Sequence, residues 1–121
     1  RATVLLIDPD RLGRVALARA LVMAGFDVLV LDEKPEILDA IATKPTIDLL
    51  LTEIDGLEVD AILRAFVAHR PGTPVVVWTK AARATADHVL RVSDVATFEI
   101  FGKAARIGEV VDGARRLARV R

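Results

Sequence analysis

The sequence predicts a three-layer, doubly wound α/β sandwich, in which five helices cover a five-stranded parallel sheet. Three observations carry that prediction. Short apolar runs alternate with segments of helical spacing along the whole chain. The runs are apolar at consecutive positions, as strands covered on both faces are. The connections between them are short, as they are in repeated β–α units.

The elements follow in order. The run TVLLI, Thr3–Ile7, reads as a first strand. Residues 11–24 have helical spacing, with Leu12, Val15, Ala16, Arg19, Ala20 and Met23 interleaved, and Gly25 is placed to end the helix. FDVLVLD, Phe26–Asp32, is a second strand, and Pro35 stands where the first turn of a helix tolerates it. Ile37, Leu38, Ile41 and Ala42 give that helix an apolar face. DLLLT, Asp48–Thr52, is a third strand, followed by helical spacing at Val59, Ile62, Leu63, Phe66 and Val67 up to the break at Pro71-Gly72. PVVVWT, Pro74–Thr79, has the β-branched content of a fourth strand. A weaker helix over 82–92 precedes a fifth strand, ATFEIF, Ala96–Phe101. Ile107, Val110, Val111, Ala114, Leu117 and Ala118 form the most regular amphipathic stripe, on the last helix.

Composition bounds the function. With 121 residues the chain is long enough for one domain, residues 1–121, with a core that needs no covalent staples. It has no cysteine, which removes disulfides and thiolate metal sites. No apolar run reaches the roughly 18 residues of a membrane span, and a cytoplasmic location is the expectation. Lys plus Arg and Asp plus Glu each number 17, so no net charge points to nucleic acid or membrane as a partner. His69 and His88 lack partners at ligand spacing and read as surface residues of their helices.

In a doubly wound sheet the ligand crevice lies beyond the carboxyl ends of the strands. Asp8, Pro9 and Asp10 follow the first strand, Glu53 and Asp55 the third, Thr79 and Lys80 the fourth, and Phe101, Gly102 and Lys103 the fifth. Four carboxylates are thereby gathered near one another. No glycine-rich phosphate loop accompanies them, which argues against nucleotide or flavin binding.

These residues resemble the receiver domain of bacterial two-component response regulators over essentially the whole chain. LLIDPD is similar to the receiver's acid-pair segment, IDLLLTEIDG to its phosphoacceptor segment, TPVVVWTK to its Ser/Thr segment, and ATFEIFGKAARIGEVV to its aromatic strand, Lys-Pro and final helix. The resemblance implies the flavodoxin/CheY-like strand order 2-1-3-4-5. The chain ends right after its final helix, which is compatible with a domain drawn from a longer multidomain regulator. Asp8 matches the first acid, but Pro9 stands where the second acid, the principal magnesium ligand, belongs. Glu53 stands where the phosphoacceptor aspartate belongs. Thr79 matches the switch hydroxyl and Phe98 the aromatic that moves with it. The ungapped spacing puts Phe101 at the place of the pocket lysine, with Lys103 two positions further as a shifted substitute.

The departures have physical consequences. Mg²⁺ is usually held by one or two carboxylates plus waters, so losing the acid at position 9 removes much of the protein's share. Proline also fixes φ and deletes an N–H, which keeps Asp10 from taking over. Glutamate moves its oxygens by about one C–C bond, roughly 1.5 Å, and misplacement near 1 Å costs an in-line reaction about a hundredfold. The expectation is a pseudo-receiver: a signalling module without enzymatic activity or cofactor, acting by protein–protein contact, with Glu53 in place of the acceptor. An extended Glu53 carboxylate near Thr79 would also imitate a phosphoryl group's charge. The alternative is a working receiver with weak Mg²⁺ on Asp8 and Asp10 and an unconventional acceptor, Asp55 or Asp10. The expected partner is a protein or an adjoining domain of a signalling pathway, a homodimer being compatible. The expected contact faces are the fourth-helix, fifth-strand and last-helix face, or a basic surface of Arg11, Arg14, Arg115 and Arg119 on the first and last helices.

Overall fold

The computed structural model describes residues 1–56 and 58–119, Arg119 in its backbone only. The strands are β1 (Thr3–Ile7), β2 (Asp27–Val30), β3 (Leu49–Thr52), β4 (Val75–Thr79) and β5 (Phe98–Gly102). The helices are α1 (Arg11–Met23), α2 (Lys34–Thr43), α3 (Val59–His69), α4 (Arg83–Val92) and α5 (Ile107–Arg119). All strand pairs are parallel and the order is β2-β1-β3-β4-β5. The predicted fold class is the one observed.

Consecutive apolar residues face opposite sides of the sheet, so each strand feeds two cores. On one side Leu5, Ile7, Leu50, Val75 and Val77 pack with Ile37 and Ile41 of α2, Ile62 and Phe66 of α3, and Leu90 of α4. On the other, Val4, Leu6, Leu51, Val76 and Trp78 pack with Leu17 and Leu21 of α1 and with Val110, Ala114 and Leu117 of α5. At roughly 1.5–3 kcal/mol for each large apolar side chain fully buried, these two layers carry most of the driving force. They also fix which strand ends lie side by side.

Gly25, at φ +99°, ends α1. Its N–H bonds Val22 O at 3.0 Å and the N–H of Phe26 bonds Leu21 O at 3.1 Å. This paired closure needs a left-handed residue, which glycine adopts without steric cost. It also explains why β2 starts at Asp27 rather than at Phe26, whose N–H is already used.

The boundary difference that bears on the site concerns β5, which runs two residues later at its start and one later at its end than the sequence implies. Thr97 O accepts from Val75 N–H at 3.0 Å and the N–H of Lys103 bonds Thr79 O at 2.9 Å, so the ladder to β4 extends past Phe101. Side-chain-free Gly102 pairs with Thr79 at the last rung.

Phe101 faces α5, where Gly113 makes room for it. A Cβ at Gly113 would lie 2.7 Å from the Phe101 ring. Gly113→Ala is therefore expected to destabilise the fold by about 1–2 kcal/mol. Overpacking of about 1–3 kcal/mol exceeds the roughly 1 kcal/mol gained in helix propensity. Urea denaturation checks this, and Phe101→Leu added to Gly113→Ala should recover most of the loss.

Candidate functional site

Parallel pairing aligns the strand ends. Ile7 pairs with Thr52, so Asp8 and Glu53 leave the sheet side by side, and the Glu53 N–H bonds Ile7 O at 2.9 Å. Thr79 pairs with Gly102, so Lys103 emerges beside Thr79. Asp8, Glu53 and Thr79 are all buried, at 2%, 2% and 1% exposure. Charges that deep need partners, and each acid has them.

The Lys103 Nζ donates to Asp8 Oδ2 at 2.7 Å. The other Asp8 oxygen accepts from the Asp10 N–H at 2.9 Å, and Arg14 Nη1 donates to the Asp8 carbonyl at 3.0 Å. The ammonium of Lys103 also lies 4.5 Å above the Trp78 ring, a cation–π contact in a largely dry place. Trp78 Nε1 is buried without a hydrogen-bond partner among the described residues, so packing and the ammonium hold the ring. Glu53 turns the other way. Its Oε2 accepts from Ile54 N–H at 2.8 Å and its Oε1 from Lys80 N–H at 2.9 Å. The longer side chain thus bridges the ends of β3 and β4 through backbone donors.

Asp8, Pro9, Asp10, Glu53, Asp55, Gly56 and Lys80 line one cleft of ≈ 320 Å³. The four carboxylates expected at the strand ends do share it, with Asp55 and Pro9 exposed at its rim. Thr79 lies beneath, and its Oγ1 accepts from the Ala81 N–H at 2.9 Å. Asp10 takes the N-cap position of α1 without a side-chain capping bond. Its Oδ2 lies 2.9 Å from where a Gly13 Cβ would stand, so this carboxylate folds over the first turn.

Three expectations need correction. Phe101 does not hold the lysine's place: its ring is packed against α5, and Lys103 supplies the cation. The one-residue extension of β5 brings Lys103, the shifted substitute considered beside Phe101, into reach of Asp8. Phe98 pairs with Val75, four rungs or about 13 Å along the strand from Thr79, with the Arg91 guanidinium 5.4 Å above its ring. It is not beside the hydroxyl. Arg14 is not a free docking residue, because its side chain is 18% exposed and braces Asp8 and Asp32. Arg11 and Arg115 are exposed on the neighbouring helices α1 and α5, Arg115 ion-paired with Asp112. The side chain of Arg119 lies outside the described residues. The backbone donor of Lys80 and the Trp78 platform were not assigned from sequence; their place directly beside Thr79 was the available signal.

The resemblance implies a divalent cation, and the residues present fit one poorly. One Asp8 oxygen carries an ammonium and the other a backbone N–H; both Glu53 oxygens are occupied by amides; Pro9 offers no side-chain ligand. Among the described residues no three His, Asp or Glu side chains converge as a metal site. Mg²⁺ demands near-ideal octahedral oxygen and would have to displace Lys103 to reach Asp8.

A single sheet of this order, with buried acids at the ends of β1 and β3 and a lysine after β5, is the architecture of CheY-like response-regulator receiver domains, and the chain shares it. Over 113 residues, 92% of its length, it is 31% identical to the DNA-binding transcriptional regulator NtrC of Klebsiella pneumoniae. It spans about a quarter, 24%, of that protein. It also matches a transiently phosphorylated "switch" in bacterial signal transduction, at TM-score 0.81 and 29% identity, covering 99% of this chain and 96% of that one. A CheY-like receiver domain from Methanospirillum hungatei JF-1 superposes at TM-score 0.84 with 16% identity, covering 98% and 94% of the two chains. No protein-family model matches the chain. Among the described residues no helix is long and apolar enough to cross a membrane.

Proposed function

We propose that this receiver is a pseudo-receiver: it works by protein–protein contact in a two-component pathway and takes up no phosphoryl group. The observation that carries this reading is Glu53. It occupies the end of β3 with an oxygen about 1.5 Å further out than aspartate would place it, and both its oxygens already hold backbone N–H donors. The Lys80 N–H that Glu53 engages is a donor an anion in this cleft would recruit. Glu53 thereby acts as a built-in anion, holding the β4 end as a phosphoryl group would. No Mg²⁺ cofactor is part of this reading, and the domain performs no catalysis.

The proposed output is a contact with a protein partner or an adjoining domain, through the α4–β5–α5 face or the exposed Arg11 and Arg115. NtrC is a DNA-binding regulator; the role proposed here is confined to signal reception, with no nucleic-acid contact assigned to these residues.

One observation favours a second reading. Lys103 does reach the cleft, so the cation a working receiver requires is present. Asp55 or Asp10 would then be an unconventional phosphoacceptor with Mg²⁺. The two readings separate on one experiment. After incubation with acetyl phosphate and Mg²⁺, intact-mass measurement is expected to find no phosphoryl adduct. A hydroxylamine-labile adduct mapping to Asp55 or Asp10 would establish the second reading instead.

A further inference from the structure

The two edges of the sheet are treated differently. At the β5 edge, Arg83 Nη1 donates to the outward carbonyl of Ile100 at 3.0 Å, Arg91 covers Phe98, and Glu99 is charged and bound to Arg116. Charged cover of this kind is how edge strands are kept from pairing with other chains.

Among the described residues no such cover lies over Val28–Val30 of the β2 edge; the Arg1–Asp27 ion pair sits at its start. The N–H groups of Asp27 and Leu31 bond inward to Ala2 O at 3.0 Å and Leu6 O at 3.3 Å. By alternation, the N–H and C=O groups of Val28 and Val30 point outward. The strand core is Val28-Leu29-Val30, without lysine or proline. Grooves run along both of its faces: one of ≈ 590 Å³ beside α1, apolar apart from Arg19, and one of ≈ 420 Å³ beside α2 that mixes apolar and charged residues. Of six large apolar side chains exposed among the described residues, five lie on α1 and β2: Leu12, Val15, Val22, Met23 and Val30. Met23 is 88% exposed.

We infer that the β2 edge is a homodimer interface, in which a second copy adds its own β2 antiparallel to this one and the two sheets become continuous. The strand is self-complementary in that register. A two-fold axis through Leu29 sets Val28 opposite Val30 of the second copy, and the reverse, so that each pair exchanges both outward hydrogen bonds. The same axis places both α1 helices on one face, where their exposed apolar stripes cover each other. On the opposite face, Glu36 near the start of α2, Asp39 in its middle and Lys44 just past its end line the groove beside β2. Reversal of the second α2 brings each Glu36 toward the opposite sign, Lys44 of the second copy. With net charge +0, no long-range repulsion opposes self-association. A generic extended peptide would gain the edge hydrogen bonds, but it would leave the α1 stripe bare. This inference does not depend on whether the cleft accepts phosphate.

Sedimentation velocity over a concentration series tests it on the intact chain. The expected result is a concentration-dependent dimer whose dissociation constant rises at least tenfold in Val30→Lys, where an ammonium enters the seam. An independent readout uses the absence of native cysteine. Directly opposed non-hydrogen-bonded residues have Cα atoms about 4.5 Å apart, inside the disulfide range of about 4.4–6.8 Å. Leu29→Cys should therefore cross-link to a dimer under mild oxidation. Val92→Cys, at the exposed apolar site on α4, should not. A chain that stays monomeric to about 1 mM, a dimer unaffected by Val30→Lys, or equal cross-linking at Val92→Cys would overturn the inference.

Discussion

Lys103→Met is expected to cost the fold about 3–5 kcal/mol, the usual loss when one partner of a buried ion pair is removed. Its partner Asp8 is 2% exposed and the Lys103 side chain 15%, so water compensates little. The remaining N–H of Asp10 satisfies one Asp8 oxygen and leaves the other without its ammonium. Set against a total of roughly 5–15 kcal/mol for a domain, the loss should shift the urea midpoint strongly. Asp8→Asn combined with Lys103→Met should recover a large part, because no uncompensated charge then stays buried. A loss under about 1 kcal/mol, the range of exposed pairs, would mean that Lys103 is not anchored on Asp8 and stands free in the cleft.

The second large effect is a gain. Pro9→Asp with Glu53→Asp is expected to create Mg²⁺ affinity and phosphoryl acceptance, neither of which the pseudo-receiver proposal gives the native chain. The first change puts a carboxylate at the cleft rim beside Asp8 and restores the N–H that proline lacks. The second withdraws the β3 carboxylate by roughly 1.5 Å, freeing the Lys80 N–H that Glu53 now holds at 2.9 Å. Each change supplies half of a requirement: the metal needs the oxygen ligands, and in-line transfer needs the acceptor placed to better than about 1 Å. The single variants are expected to show little, and the pair a cooperative response of a hundredfold or more in adduct formation. Equal response in Glu53→Asp alone would show that Pro9 is no obstacle.

How much of this was legible beforehand differs by element. The continuous apolar runs of β1, β3 and β4 announced doubly covered strands, and their ends placed Asp8, Glu53 and Thr79 correctly. Those strands are central, buried on both faces, so hydrophobicity alone marks them. β5 is an edge strand whose pattern mixes Phe98, Glu99 and Phe101, and its true end is set by a ladder to Thr79 that no local signal encodes. The end of that strand decided between the two positions the sequence left open for the pocket lysine, 101 and 103. The shift of that strand also put Phe98 too close to the hydroxyl. Arg14 illustrates a different limit. Helical spacing puts it near the exposed face of α1, but the loop after β1 brings the Asp8 carbonyl within 3.0 Å of its guanidinium. The direction of Glu53 was equally hidden, since only the folded ends of β3 and β4 provide the two amides it bridges.

Trp78 offers the most direct test of the central claim, that Glu53 already holds the backbone donor of this cleft, which then accepts neither metal nor phosphoryl group. It is the only tryptophan, and its ring lies 4.5 Å from the Lys103 ammonium. Any ligand that draws Lys103 off Asp8 must alter its fluorescence. Mg²⁺ titrated to about 10 mM, well above the millimolar range of weak cation sites, followed by beryllofluoride, is expected to leave the native spectrum unchanged. The Pro9→Asp, Glu53→Asp variant should respond to both. A saturable Mg²⁺ response in the native chain, followed by a beryllofluoride-dependent shift, would contradict the pseudo-receiver account.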